Sequence, residues 1–246
     1  MPGMPHRFYA PDIHAGGDVA TLPADEAAHL TRVLRLGAGA AIHVFDGRGR
    51  ECAAVVDAVR PAVRVRATAA VAAAPEPRVA LALAQAILKG DGMDGVIRDA
   101  VMLGVSRIQP LVTAHAEIAR PGRTGRWRRV ALASAKQCGR AVLPEIAEPV
   151  GLAHGLAQAT GDLRLILVEP GAAQAAQAES LAVLKDRPVP ASATLLVGPE
   201  GGWAADELAA ARLGAWLPLT LGARTLRAEA APLVAISALW AIWGEL

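Results

Sequence analysis

The chain has few residues of the kinds that build disulfide, metal or membrane-spanning structures. Its two cysteines, Cys52 and Cys138, cannot form a disulfide framework and lack the spacing of a metal site. No apolar run reaches about 18 residues, and residues 1–12 contain no apolar signal segment. We therefore expect a soluble, cytoplasmic protein that uses no metal.

Two widespread nucleotide-binding signatures are also missing. The sequence has neither a G-x-G-x-x-G nor a G-x-x-x-x-G-K-[ST] pattern, so the common dinucleotide and P-loop sites are not expected. Lysine is scarce, and arginine carries most of the positive charge in a chain whose net charge is only +2. The positions of the arginines are therefore more informative than their total.

The first 72 residues have the pattern of a small β-rich domain. Segments 41–45 and 51–59 are joined by a glycine-containing turn, which predicts a β-hairpin. Residues 63–66 alternate valine with arginine, as a strand with one buried face does. A short helix is expected over residues 23–36.

A linker at 73–77, with two prolines among small residues, precedes a different pattern. Beyond it, apolar runs alternate with helical segments, which indicates an α/β domain with a largely parallel sheet. Strands are expected at 79–88, 163–168, 194–197 and 217–221. The chain is long enough for two modest domains, each with its own core.

Two glycine corners follow the last two of these strands. The first is Gly-Pro-Glu-Gly-Gly at 198–202, and the second starts at Gly222; each leads into a helical segment. Glycine lets a ligand approach the bare backbone, and a helix N-terminus presents free N–H groups, so the corners predict a ligand cleft. On the glycines alone, ordinary strand-to-helix turns are an alternative.

A basic amphipathic helix is predicted between Arg120 and Arg140, with Trp127 and Ala131 on its apolar stripe. Its cations are Arg120, Arg123, Arg126, Arg128, Arg129, Lys136 and Arg140. No carboxylate lies between residues 118 and 144. A charged helix face is often simply solvated, but a face whose charges are all positive, with no carboxylate among them, favours a phosphate-binding surface.

The two corners, written as GPEGG and LG-x-R-x-LR-x-E, resemble the SPOUT (trefoil-knot) methyltransferases, and most closely the 16S ribosomal RNA (uracil-N3) methyltransferase family. The resemblance implies a PUA-like β-barrel over 1–72 that helps to hold RNA. It also implies a knotted, mostly parallel sheet flanked by helices over 78–246, in a homodimer. The last helix, at 229–243, would pass through the 194–221 region.

The resemblance further implies a cofactor, S-adenosylmethionine, and a partner, 16S ribosomal RNA or the small ribosomal subunit. The cofactor pocket would contain Val197, Gly198, Pro199, Glu200, Gly201, Gly202, Leu219, Leu221, Gly222 and Leu226. The RNA-binding residues would be Arg7, Arg32, Arg35, Arg126, Arg129 and Arg140.

Methylation of uracil N3 sets a chemical requirement, because this nitrogen must lose its proton to become a nucleophile. Arg227 would stabilise the negative charge that develops on the base, since a guanidinium is always protonated. Glu229, Glu200 or solvent could accept the proton, and the sequence does not choose among them. The threonine that usually follows the family's glutamate is replaced by Ala230, so a catalytic role for that hydroxyl is not expected here.

Two other functions fit part of this pattern. A SPOUT enzyme could methylate a ribose 2′-hydroxyl, and a protein of this fold could bind RNA without catalysis. The E-G-G and R-x-E signatures, together with the N-terminal barrel, favour modification of a base. The intact corners argue against a scaffold, because a scaffold needs no cofactor pocket.

Overall fold

The computed structural model describes residues 6–14, 16–117, 122–171 and 178–245. Arg120, one of the cations of the predicted basic helix, lies outside these ranges. The first compact unit consists of Met1–Glu76 and Leu132–Leu143, and the second of Pro77–Ala131 and Pro144–Leu246. The segment Leu132–Leu143 thus belongs with the N-terminal unit, although it comes from the sequence region expected to form the C-terminal domain.

The first unit is built on a five-stranded sheet. Its strands are β1 (Arg7–Tyr9), β2 (Val19–Thr21), β3 (Ala41–Phe45), β4 (Glu51–Ala58) and β5 (Arg64–Val71), in the order β1-β3-β4-β5-β2. Strand β1 is parallel to β3, and the other pairs are antiparallel, which includes the predicted hairpin of β3 and β4. Val65 is buried between the exposed Arg64 and Arg66, as the alternation predicts.

The helix expected over 23–36 is shorter than predicted. Helix α1 (Ala24–Ala28) continues into a π-helical turn at His29–Val33. Arg35 has a positive φ of 54°, a conformation that a right-handed helix cannot include. The segment therefore ends before residue 36, while Leu30 from the π-helical turn is fully buried in the core of the unit.

The second unit is an eight-stranded sheet in which every described pair is parallel. The strands are β6 (Ala80–Ala86), β7 (Arg107–Val112), β8 (Glu145–Ile146), β9 (Val150–Gly151), β10 (Leu163–Leu167), β11 (Glu179–Ser180), β12 (Ser192–Val197) and β13 (Leu217–Thr220). Their order is β11-β13-β10-β12-β6-β7-β8, and β9 also pairs with β7. Buried residues such as Leu83 and Leu195 account for the apolar runs of the central strands.

Helices connect these strands. They are α2 (Gly92–Met102), α3 (Arg123–Cys138), α4 (Leu152–Gln158), α5 (Ala205–Leu213) and α6 (Ala231–Trp243), with a 3-10 helix at Leu181–Asp186. Helix α6 begins with Pro232 in its first turn, where a proline costs no hydrogen bond. Its buried residues include Ile236, Trp240 and Trp243. Within the described ranges, no helix combines the length and apolarity needed to cross a membrane.

Candidate active site

Three neighbouring strands end at one edge of the parallel sheet. Strand β10 lies between β13 and β12, and the three run in the same direction, so the segments that follow them are brought together. These segments and the start of α6 enclose a cavity of about 610 Å³. Its lining consists of residues 167–170, 197–203, 208, 221, 224–229 and 231.

Most of the residues expected in a cofactor pocket line this cavity. They are Val197, Gly198, Pro199, Glu200, Gly201, Gly202, Leu221 and Leu226. Leu219 is not among the lining residues because its side chain is fully buried in β13. Gly222 also lies outside the lining and has a φ of +98°, so it shapes the turn after β13.

The Gly-Pro-Glu-Gly-Gly turn depends on its last two glycines. Gly202 has a φ of +69°, and its N–H donates to the carbonyl of Pro199 at 3.0 Å. A Cβ at Gly201 would lie 2.8 Å from the Cβ of His115, which is closer than two such atoms pack. The requirement for glycine at 201 therefore comes from packing within the chain, and at 202 from the backbone conformation.

Neighbouring loops hold this turn in place. The carboxylate of Glu200 accepts a hydrogen bond from the backbone N–H of Lys89 at 3.0 Å. Glu207 accepts from the backbone N–H groups of Ala114 at 2.8 Å and Ala204 at 3.0 Å. These bonds join the turn and the start of α5 to the loops that follow β6 and β7, so contacts within the chain hold this wall of the cavity.

Arg227 and Glu229 also line the cavity, from the loop between β13 and α6. The Arg227 side chain is 87% exposed, and its Nη1 lies 3.8 Å from Oε1 of Glu229, which is 47% exposed. The backbone carbonyl of Arg227 accepts from the N–H groups of Ala230 and Ala231 and so anchors the first turn of α6. The backbone of Arg227 is thus held while its guanidinium stays available at the cavity.

Several cavity residues were not predicted from the sequence. They are Leu167, Val168, Glu169, Pro170, Trp203, Leu208, Arg224, Thr225, Ala228 and Ala231. The indole N–H of Trp203 donates to the carbonyl of Leu167 at 2.8 Å, so it joins the ends of β12 and β10. The sequence did contain a signal for residues 167–170, because the strand predicted at 163–168 is followed by Glu-Pro-Gly. Their position between the two glycine corners, however, can be known only from the order of the strands in the sheet.

The expectation that α3 presents an unrelieved cationic face is wrong. Arg126 pairs with Asp94 at 2.6 Å and with Asp91 at 2.9 Å, and these carboxylates raise its pKa. Carboxylates from elsewhere also neutralise the neighbouring cations, in the pairs Arg123–Glu117 and Arg128–Glu148. Arg129 is exposed, and its Nε donates to the carbonyl of Gly125 in its own helix at 3.4 Å.

Two of the arginines predicted to bind RNA have partners within the first unit. Arg7 pairs with Glu51 at 2.7 Å and donates to backbone carbonyls of the segment 135–140. Arg140 pairs with Glu76 at 3.0 Å, and its side chain is only 6% exposed. Both guanidiniums are therefore taken up inside the unit, whereas Arg32 and Arg35 are exposed.

The carboxylate of Glu51 binds both Arg7 and His43. Burial acts to raise its pKa, but hydrogen bonds from Arg7 and His43 outweigh burial, and the net direction is downward. The carboxylate of Glu51 is therefore kept ionised in the folded protein.

Comparisons with known proteins agree with this architecture. A PUA domain of RNA methyltransferases matches residues 22–61. The Synechocystis protein named ribosomal RNA small subunit methyltransferase E is 31% identical over 220 residues, which cover 88% of this chain and 71% of that protein. The Buchnera aphidicola protein of the same name is 25% identical over 229 residues, 90% of this chain and 87% of that protein.

A solved structure extends the agreement to three dimensions. The Neisseria gonorrhoeae enzyme of that name, crystallised with S-adenosylmethionine, superposes with a TM-score of 0.87 over 98% of both chains at 30% identity. The predicted SPOUT-type fold class, with a PUA-like N-terminal domain, is confirmed. The passage of the last helix through the 194–221 region stays a prediction. Because an RNA methyltransferase domain matches residues 75–240, the chain belongs to the RNA methyltransferase family.

Proposed function

We propose that this protein transfers a methyl group from S-adenosylmethionine to N3 of a uridine in 16S ribosomal RNA. The observation that carries the proposal is the cavity at the ends of β10, β12 and β13, which Arg227 and Glu229 line together with the Gly-Pro-Glu-Gly-Gly turn. The relatives' shared name, ribosomal RNA small subunit methyltransferase E, supports the substrate class.

The cavity is large enough for S-adenosylmethionine. Its volume of about 610 Å³ lies within the usual range for small-molecule sites, and its walls combine apolar side chains with a few charged groups. Val197, Leu221 and Leu226 provide apolar surface, and Gly202 leaves the backbone bare. When bound, S-adenosylmethionine supplies a methyl group on a sulfonium, which is activated for transfer without a metal.

The residues of the second corner would act on the target base. Arg227 would hold the uracil carbonyl oxygens and stabilise the charge that develops as N3 loses its proton. Glu229 is proposed as the proton acceptor, because one oxygen of Glu200 is already bonded to the N–H of Lys89. Glu200 would then act by positioning the turn.

Two conservative substitutions separate these roles. Glu200→Gln keeps a carbonyl oxygen for the N–H of Lys89, so we expect the rate to stay near that of the wild type. Glu229→Gln removes the proton acceptor, and we expect the single-turnover rate to fall by ~10²-fold and its pH dependence to change. If the single-turnover rate fell strongly in Glu200→Gln and not in Glu229→Gln, Glu200 would be the proton acceptor and Glu229 would not.

The product identifies the reaction. Ribosomal RNA incubated with the protein and S-adenosylmethionine would be digested to nucleosides and examined by mass spectrometry. We expect 3-methyluridine. A 2′-O-methylated nucleoside would indicate ribose chemistry, and cofactor binding without any methylated product would indicate an RNA-binding role.

The RNA contacts and assembly are also proposals. The exposed Arg32, Arg35 and Arg129 are our candidates for phosphate contacts, with Arg126 contributing less because of its carboxylate partners. A ribosomal RNA substrate implies a cytoplasmic location and a partner that is either 16S ribosomal RNA or the small subunit. We also propose a homodimer, and light scattering at micromolar concentration that found a monomer would contradict it.

A further inference from the structure

Glu169 is a cavity glutamate that has no role in the proposed methyl transfer. It follows β10 and Val168, and it lines the cavity between the Gly-Pro-Glu-Gly-Gly turn and the loop that carries Arg227. A Cβ at Gly202 would lie 4.0 Å from Oε2 of Glu169, so the carboxylate stands beside bare glycine backbone.

The three glutamates of the cavity differ in what they already bind. Glu200 accepts from the N–H of Lys89, and Glu229 lies 3.8 Å from Nη1 of Arg227. Glu169 is exposed, and across residues 6–14, 16–117, 122–171 and 178–245 its carboxylate has no hydrogen-bond or ion-pair partner. An ionised carboxylate only accepts hydrogen bonds, so its natural partner is a ligand that donates them.

The position of Glu169 indicates which part of the cofactor it meets. In dinucleotide-binding α/β sheets, a carboxylate beyond the glycine turn hydrogen-bonds a ribose hydroxyl. This chain lacks the G-x-G-x-x-G pattern of those proteins, but Glu169 places the same acceptor beside a glycine turn. The cofactor's own carboxylate would be repelled here and is better placed near the guanidiniums of Arg224 and Arg227, which also line the cavity. A ribose diol offers two adjacent hydroxyls, which match the two oxygens of one carboxylate.

We propose that Glu169 binds the ribose hydroxyls of the cofactor and so sets the position of its nucleoside half. This inference rests on the proposed function for the identity of the cofactor. It assigns to Glu169 a binding role that does not depend on the sulfonium charge, and this independence can be measured.

Calorimetry on the full-length protein tests the assignment with S-adenosylmethionine and S-adenosylhomocysteine, which share the ribose and differ in the sulfonium. We expect Glu169→Gln to weaken both ligands by the same factor, ~10-fold or more, as for hydrogen bonds to a charged group. Asp206→Asn is the matched control, because it removes the same charge from an exposed position on α5 outside the cavity. It should bind both ligands as the wild type does.

A second ligand pair sharpens the result. An S-adenosylhomocysteine analogue lacking one ribose hydroxyl should bind more weakly than its parent to the wild type, but no more weakly than its parent to Glu169→Gln. Loss of affinity for S-adenosylmethionine alone would assign Glu169 to the sulfonium and overturn the proposal, as would unchanged affinity for both ligands. A wild-type protein that bound neither ligand would instead remove the proposed function itself. Because Glu169 has no partner among the described residues, thermal unfolding should be unchanged.

Discussion

Replacing Arg227 by alanine tests the proposed chemistry most directly, because the structure separates its catalytic and structural contributions. The side chain is 87% exposed, and its charged neighbour is Glu229 at 3.8 Å. An exposed pair of this kind contributes about 0–1 kcal/mol to stability. A preorganised donor aimed at developing negative charge is worth about 2.7–4 kcal/mol in the transition state, or ~10²–10³ in rate.

The assay is the single-turnover rate at saturating RNA and S-adenosylmethionine, measured beside thermal unfolding and cofactor calorimetry. For Arg227→Ala we expect the rate to fall by ~10²–10³ while Tm and cofactor affinity change little. RNA affinity should fall less than the rate, since neutral uracil makes a weaker hydrogen bond than its anion. Arg227→Lys should recover part of the rate, because it restores charge without the planar fork.

Two results would refute this reasoning. A near-normal single-turnover rate in well-folded Arg227→Ala would end the catalytic assignment. A rate loss accompanied by comparable losses of Tm and cofactor affinity would mean that Arg227 acts as a structural clamp between β13 and α6.

Three further predictions follow from other positions. Gly202→Val should abolish cofactor binding in calorimetry while unfolding stays cooperative, because a β-branched residue is strained at the φ of +69°; unchanged affinity would place the cofactor elsewhere. Arg129→Gln should reduce the log–log salt slope of RNA binding by roughly 0.7–0.9, and Arg126→Gln by less; wild-type slopes in both would make α3 a solvated face. Glu51→Gln should lower the free energy of unfolding at neutral pH. The folded-state pKa of Glu51 is depressed, so its carboxylate stabilises the fold above the unfolded pKa, and this contribution is lost as pH falls through the folded pKa. The free energies of unfolding of variant and wild type, measured by denaturant titration, should therefore converge in acid. A difference that stayed constant with pH would contradict this.

The parts of the fold that the sequence predicted are those encoded locally. Continuous apolar runs predicted the central strands, and the turn between β3 and β4 predicted their hairpin. Gly202 belongs to the first of the two predicted glycine corners, and its φ of +69° is one that glycine adopts readily. The length of α1 was not predictable in the same way, because nothing in the residue types around Arg35 requires its positive φ.

Charge compensation was the least predictable feature, because it depends on contacts between distant segments. The sequence between residues 118 and 144 contains no carboxylate, yet Arg126 meets Asp91 and Asp94 from the start of α2. Arg7 likewise finds Glu51, which lies on another strand. The sign of a local charge run therefore indicates little about the surface potential until the partners of each cation are known.

The cavity itself depends on a strand order that the sequence does not reveal. Strand β10 precedes β12 and β13 in the chain but lies between them in the sheet, so the segment after β10 is placed between the two glycine corners. That order places Glu169 beside Gly202 and brings the carbonyl of Leu167 to the indole of Trp203. The two glycine corners were recognisable as sequence motifs. The third wall of the cavity, residues 167–170 after β10, carries no motif, and its place follows only from the position of β10 between β12 and β13. Among the residues that the structure describes, the Glu169 carboxylate has no partner, and this is the strongest sign that the third wall also binds the ligand.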